Sequence, residues 1–172
     1  YMGAQNKTVN LNDVMLKSKE SLTNKVIDPD LQKATKRTRT FAVNKVLQSE
    51  QNLNLNDTLL LELFSDKLYK AYIDDIETDL NGTISIRGRM VDYPMGYFII
   101  TTSSDKNSLV LVEIPELKEK YISRLNANTK AAYLLELDGT KTTELEGAEP
   151  LIPSDEVDNY DSNHNNNVDE ED

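Results

Sequence analysis

The chain has 172 residues and a net charge of −11, from 30 acidic and 19 basic side chains. The whole imbalance lies in residues 142–172, which contain acidic residues but no Lys or Arg. The chain has no Cys, and its single His, His164, lies in this acidic stretch. This composition argues against a nucleic-acid partner. It also excludes disulfides and thiol nucleophiles, and it removes Ser-His-Asp triads and HExxH zinc sites from the part of the chain that is expected to fold. No apolar run is long enough to span a membrane.

Residues 1–39 form a polar N-terminal segment. Apolar residues between positions 14 and 22 fall near one face of a possible helix, which Asn12 or Asp13 would cap. The stretch from Lys33 to Arg39 contains four basic residues. We interpret it as a solvated connector, with a protease-sensitive hinge or an anion-binding patch as the alternatives.

Residues 40–149 have the pattern of a β-rich domain. Thr40–Val43 predicts a short strand, and Asn44 predicts the cap of a short helix that buries Val46 and Leu47. Period-two alternation and turn residues then predict about seven strands, at 58–64, 68–79, 83–87, 97–102, 108–114, 120–125 and 131–137. Asn81-Gly82 is a strong hairpin signal. We therefore expect a mainly β fold, an antiparallel meander, sandwich or open barrel with one or two short N-terminal helices.

Residues 150–172 are predicted to be an acidic, disordered linker, because they contain too little apolar surface to offset the entropy of ordering. Six oxygen-bearing residues occupy positions 1, 3, 5, 7, 9 and 12 of a twelve-residue stretch, a spacing typical of calcium loops. They are Asp161, Asn163, Asn165, Asn167, Asp169 and Asp172. Asn166 stands where such loops usually have Gly, and position 12 is Asp instead of Glu. The tail is therefore either a Ca²⁺ site or a solvated spacer.

Within the predicted strands, two polar groups are candidates for chemistry. Asp74 and Asp75 are adjacent, so we expect them on opposite faces of a strand, where they cannot act as an acid–base pair. Arg87 and Arg89 flank Gly88 and should share a face, either as an anion or carboxylate site or as part of a plain surface strand. We expect no catalytic residue and no cofactor in the folded domain.

Several of the predicted strands also resemble a known family. Residues from about Thr40 to Pro153 are similar to the N-terminal prodomain of secreted, reprolysin-like zinc metallopeptidases, especially the bacterial members. The resemblance is carried by residues 59–64, 69–77, 83–100, 108–114, 120–124 and 132–138. In particular, a strand, a Gly, a short turn and a second apolar strand follow one another in residues 83–100. The chain lacks the Cys that many relatives outside bacteria use to cap the catalytic zinc.

The resemblance implies a non-catalytic propeptide that assists folding and maintains zymogen latency. It would dock on a metallopeptidase catalytic domain in cis or in trans. Without Cys, the zinc would be capped by a carboxylate, with Asp155, Glu156 and Asp158 as candidates, or shielded sterically. The resemblance also implies secretion, or a periplasmic or cell-envelope location, after removal of a signal peptide. The alternative is a stand-alone secreted β-domain that binds protein or glycan and carries the acidic tail as a spacer.

Overall fold

The structure, a computed structural model, describes residues 5–12, 20–21, 29–125 and 132–141. Its strands are β1 (Thr8–Asn10), β2 (Glu20–Ser21), β3 (Thr35–Thr40), β4 (Thr58–Phe64), β5 (Lys67–Thr78), β6 (Ile84–Met90), β7 (Tyr97–Thr102), β8 (Ser108–Ile114), β9 (Glu119–Leu125) and β10 (Ala132–Asp138). The helical elements are α1 (Pro29–Ala34) and the 3₁₀ turns Lys45–Gln48, Glu50–Asn52 and Pro115–Leu117. The chain is mainly β, as predicted.

Strands β4 to β10 are the seven strands that the alternation predicted, and they follow one another as an antiparallel meander. The full sheet has the order β1-β4-β5-β6-β7-β8-β9-β10-β3-β2 and is curled into a half-barrel. Strand β1 pairs with β4 in parallel, whereas the other neighbouring strands are antiparallel. Of the predicted architectures, the sheet is therefore a meander that curls into an open barrel, and not a sandwich.

The core fills the concave side of the curled sheet. Inward-facing side chains from most strands are completely buried there, including Leu59, Leu61, Phe98, Val112 and Tyr121. A smaller apolar cluster lies on the outer face, where Ile122, Leu135 and Leu137 pack with Leu31 of α1. The strands β9 and β10 are consequently buried on both faces, which explains why their sequences alternate less cleanly than that of β6.

Polar contacts join the two ends of the curled sheet. Arg39 of β3 donates from Nη1 to the carbonyl oxygens of Leu63 at 2.8 Å and of Glu62 at 3.2 Å. Asn12 donates from Nδ2 to the Glu62 carbonyl oxygen at 2.7 Å and forms an antiparallel bridge with Val43. These bonds satisfy carbonyl groups at the β4 edge, which would otherwise be an open site for another strand.

The basic stretch was predicted wrongly, and the helix predicted near residues 14–22 is contradicted at residues 20–21. Residues 35–40 are strand β3, not a solvated connector, and Arg39 is buried. The strand predicted at Thr40–Val43 lies earlier in the chain, because the alternating Thr and Arg residues pair with β10. Residues 20–21 belong to strand β2, so the predicted helix does not extend through them. Residues 13–19, which carry most of that prediction, lie outside the described part of the chain.

The predicted helix cap and the predicted hairpin turn are confirmed, whereas the predicted facing of two residues in strand β5 is wrong. Asn44 accepts a hydrogen bond from the Val46 amide at 3.1 Å, and Gly82 has a φ of 79°, which Gly adopts readily. Asp74 and Asp75 were expected on opposite faces of the strand, and this expectation is wrong. A bulge between Ile73 and Asp75 shifts the alternation, so both carboxylates reach arginines on the outer face.

Candidate functional site

Three of the connections between strands lie at one end of the half-barrel, together with the last residue of β10. We call it the Glu119 end, after the residue that begins β9 there. The β4–β5 turn, the β6–β7 connection and the Pro115–Leu117 turn all lie at this end. Asp138 pairs with Glu119, and residues 139–141 follow directly. The chain therefore enters residues 142–172 from the Glu119 end.

A buried carboxylate organises the interior of this end. Glu119 is only 9% exposed and accepts three hydrogen bonds from side chains. Lys67 Nζ lies 2.5 Å from Oε1, whereas the hydroxyls of Tyr69 and Tyr121 lie 2.5 Å and 2.6 Å from Oε2. We call these four residues the carboxylate cluster. Because a buried charge is costly without partners, three donors are what such a carboxylate needs.

The four residues of the carboxylate cluster shift one another's pKa values. Burial by itself raises the pKa of Glu119, but the hydrogen bonds from Lys67, Tyr121 and Tyr69 outweigh burial and lower that pKa below its usual value. The hydrogen bond to Glu119 raises the pKa of Lys67. Burial, together with the same carboxylate, raises the pKa of Tyr69 and of Tyr121. At neutral pH Glu119 is therefore ionised and both tyrosines keep their protons, so all three hydrogen bonds end on a charged acceptor.

A second ionic group lies beside this cluster and ties β3 and β10 to the β4–β5 turn. The Arg37 guanidinium bonds the Glu136 carboxylate and lies 2.6 Å from the Asp66 carboxylate, with its centre 4.1 Å above the Phe64 ring. Desolvation lowers the pKa of Arg37, but its hydrogen bonds to Glu136 and Asp66 outweigh that effect and raise it. These contacts join strands that are far apart in the order of the sheet, so they fix its curl at the Glu119 end.

Four large apolar side chains are exposed at this end, and we call them the apolar rim. Leu68 is 63% exposed, Val91 39%, Met95 66% and Leu117 40%. The backbone beneath them is well fixed. The Val91 amide donates to the carbonyl of Lys70 at 2.9 Å, and the Met95 amide donates to the Glu116 carboxylate at 2.6 Å. Protein-binding surfaces are typically built around exposed apolar side chains.

The outer face of β5 and β6 carries paired charges. Arg87 lies 3.1 Å from the Asp75 carboxylate and 2.9 Å from that of Glu77. Arg89 lies 3.4 Å from the Asp74 carboxylate. The two arginines share a face, as expected, but their charges are balanced by carboxylates on β5. This arrangement favours the plain surface strand over an anion site.

The residues that the sequence proposed as metal ligands lie outside the described residues. This applies both to the calcium-loop candidates and to Asp155, Glu156 and Asp158, so their predicted roles stay predictions. Within the described ranges, no three His, Asp or Glu side chains are arranged to hold a metal ion. Each helix within those ranges is too short or too polar to cross a membrane.

The sequence did not reveal the carboxylate cluster or the apolar rim. Glu119 precedes the predicted strand 120–125, and its partners Lys67 and Tyr69 belong to β5, a distant strand in the sheet order. Two tyrosines at inward positions, Tyr69 and Tyr121, could have indicated the cluster, because a buried hydroxyl needs a polar partner. Leu68 lies at the start of β5, Val91 and Met95 lie in the β6–β7 connection, and Leu117 lies in the turn before β9. They come to one end because alternate connections of an antiparallel meander lie at the same end of the sheet.

No protein-family model matches the chain, and no curated protein matches it. Among solved structures, it is similar to a chain from the "Structure of a chaperone-substrate complex". The identity is 15%, the TM-score is 0.44, and the match covers 62% of this chain and 85% of that chain. A likeness of this degree carries no argument about function.

Proposed function

We propose that the chain is a non-catalytic, prodomain-like module that docks through its apolar rim on the catalytic domain of a secreted zinc metallopeptidase. In this role it assists the folding of that domain and keeps it latent. The observation that carries the proposal is the position of the rim. Leu68, Val91, Met95 and Leu117 are exposed at the end from which the chain enters its acidic segment. A partner docked there would lie next to residues 139–141, from which the chain continues into that segment. The resemblance of residues 40–153 to such prodomains supports this choice of partner.

The chemistry of the rim suits a stable protein contact. The centre of a protein interface is apolar and poor in charged groups, and a surface that is ordered before binding loses less entropy on association. The rim offers apolar side chains on turns fixed by the Met95–Glu116 and Val91–Lys70 hydrogen bonds. The carboxylate cluster lies beneath them, because Tyr69, which bonds Glu119, also contacts the ring of Tyr93 in the β6–β7 connection. The surface is therefore held rigid from within.

The acidic segment would complete the latency mechanism. Carboxylate oxygens are accepted zinc ligands, and a fourth protein ligand would exclude the catalytic water. Asp155, Glu156 and Asp158 are the proposed capping residues, with steric shielding as the other route. Ca²⁺ binding by residues 161–172 remains a separate proposal for the tail. The proposal also locates the protein outside the cytoplasm, in the secreted or cell-envelope fraction.

The test is inhibition in trans. The full 172-residue chain is added to the separately produced catalytic domain, and cleavage of a peptide substrate is followed. We expect a saturable loss of activity. The variant D155N/E156Q/D158N should still bind, but it should inhibit less if a carboxylate caps the zinc and equally if shielding is steric. Unchanged protease activity at micromolar concentrations of the wild-type chain would overturn the proposal.

The alternative, a stand-alone β-domain that binds protein or glycan, is favoured by one feature of the outer face. Tyr72, Arg89 and Tyr97 lie side by side in register on β5, β6 and β7, and both rings are partly exposed. Amphipathic rings next to charged groups suit sugar binding. Chemical-shift changes confined to these three residues in a glycan titration would favour this alternative, whereas shifts at the rim on adding the protease domain favour docking.

A further inference from the structure

A cavity lies at the end of the half-barrel opposite the Glu119 end. It has a volume of about 300 Å³ and is bounded by residues 41–48, the β7–β8 turn, the last residue of β9 and the first residue of β10. Small-molecule sites in proteins have volumes of about 300–1,000 Å³ and combine an apolar lining with a few polar groups. The cavity is therefore large enough for a small ligand, and the chemistry of its lining decides which kind.

Part of the lining is apolar. Phe41 and Val43 line the cavity and belong to the main core, with 6% and 7% of their surface exposed. Leu125 and Ala132, which pair across β9 and β10, line it as well. The Phe41 amide donates to the Ala132 carbonyl at 3.1 Å, so these two parts of the lining are fixed to each other. The small side chain of Ala132 leaves space that a larger one would fill.

A side-chain bridge holds two walls of the cavity together. Gln48 donates from Nε2 to the Lys106 carbonyl and to Ser108 Oγ, both at 3.2 Å. Lys106 has a φ of 66°, in the left-handed region that residues other than Gly seldom adopt, and its amide donates to the Ser103 carbonyl at 2.9 Å. These contacts fix the β7–β8 turn against residues 45–48. The cavity is thus formed before any ligand binds, which reduces the entropy lost on binding.

Two lysines give the opening of the cavity a positive charge. Lys45 and Lys106 both line it, and both are exposed. Neither forms an ion pair within the part of the chain that the structure describes, and Lys106 Nζ makes a long hydrogen bond of 3.4 Å to the Gln48 carbonyl. The carboxylate of the neighbouring Asp105 is bonded within its own turn. The two ammonium groups are therefore available to a negatively charged ligand.

We propose that this cavity binds a small amphipathic anion, a monocarboxylate with a short apolar body. The body lies against Phe41, Val43 and Ala132, and the carboxylate lies beside the ammonium groups of Lys45 and Lys106. An apolar lining alone would accept any small hydrophobic molecule, whereas two cations beside it favour an anion and repel a cation. The cavity shares no residue with the apolar rim, so this proposal stands or falls independently of protease docking.

The test uses the fluorescent dye anilinonaphthalenesulfonate, whose sulfonate stands in for the carboxylate, and its uncharged analogue phenylnaphthylamine. Each dye is titrated into the full chain as wild type, as K45Q/K106Q and as the control K36Q/K118Q, which loses two exposed lysines at the Glu119 end. We expect saturable binding of the anionic dye, weakened about tenfold in K45Q/K106Q and unchanged in K36Q/K118Q. The uncharged dye should bind all three proteins alike. Octanoate should displace the anionic dye at concentrations at which octanol does not.

The binding site is located by amide chemical-shift changes on addition of octanoate, which we expect at residues 41–48 and 106–108. The cavity-filling variant A132L should weaken the binding of both dyes, and A42L takes its place if A132L does not fold. The proposal is overturned by a lack of saturable binding to the wild-type chain, by equal binding of the anionic dye to K45Q/K106Q and the control, or by unchanged binding to a folded cavity-filling variant. Shifts at the apolar rim in place of the cavity also overturn it. An equal loss of both dyes in K45Q/K106Q would show that the lysines maintain the cavity without selecting an anion, and the assignment of the ligand would be wrong.

Discussion

Replacing Glu119 by Ala tests whether the carboxylate cluster stabilises the Glu119 end. The substitution removes an acceptor that receives three hydrogen bonds from Lys67, Tyr69 and Tyr121. A hydrogen bond to a charged group contributes about 1.5–3 kcal/mol, but the desolvation cost of the carboxylate is recovered when it is removed. Lys67 is partly exposed and can be hydrated, whereas Tyr121 is completely buried and its hydroxyl loses its partner. We therefore expect a loss of about 3 kcal/mol in the free energy of unfolding.

The assay is urea unfolding at pH 7, followed by far-UV circular dichroism. Glu119→Gln keeps the shape of the side chain but loses its charge, and it should cost less, about 2 kcal/mol. Glu77→Ala is the matched control, because Glu77 is exposed and pairs with Arg87 on the surface, and it should change stability by less than about 0.5 kcal/mol. A double-mutant cycle with Lys67→Met should show coupling to Glu119. If Glu119→Ala were no more destabilising than Glu77→Ala, the proposed role of the cluster would be refuted.

Three further predictions concern the same fold. Because the pKa of Glu119 is lowered in the folded state, its stabilisation is present above the pKa of the unfolded chain and is lost as the pH falls through the folded value. Glu119→Gln should therefore weaken the loss of stability measured in acid below about pH 5. Gly88→Ala should cost about 2 kcal/mol in urea unfolding, because its Cβ would overlap the Tyr72 carbonyl oxygen and the Phe98 ring, whereas Ser85→Ala on the same strand should be nearly neutral. Arg39→Met should lower the unfolding free energy by about 2 kcal/mol, since two carbonyl groups at the β4 edge lose a charged donor.

The meander was predictable because each of its strands is specified locally. In β6, Ile84 and Ile86 face the core while Ser85 and Arg87 face outward, and this alternation is visible without any knowledge of neighbouring strands. Turn residues act at the same short range, as Gly82 and Asn44 show. Signals of this kind need only a few consecutive residues, so the strand boundaries agree closely with the structure.

Features that depend on distant segments were not predictable. Strand β3 contains Thr and Arg in place of apolar residues, and it forms because β10 supplies a partner edge and Glu136 supplies a charge for Arg37. Strand β1 has only three residues, and its partner β4 lies far along the chain, since Thr8 pairs with Thr58. The Asp74–Asp75 pair shows the same limitation, because a bulge that the local pattern does not reveal brings both side chains to one face.

The most direct test of the docking proposal is a binding measurement on the apolar rim. The full chain is titrated into the metallopeptidase catalytic domain in a calorimeter, as wild type, as the rim variant M95S/L117S and as the control variant L80S/L109S. Leu80 and Leu109 are exposed at the opposite end of the sheet, so they match the rim residues in chemistry but not in position. The proposal predicts that M95S/L117S binds about tenfold more weakly or worse, while L80S/L109S binds like wild type. Equal affinities for all three proteins, or no binding by the wild-type chain, would contradict it.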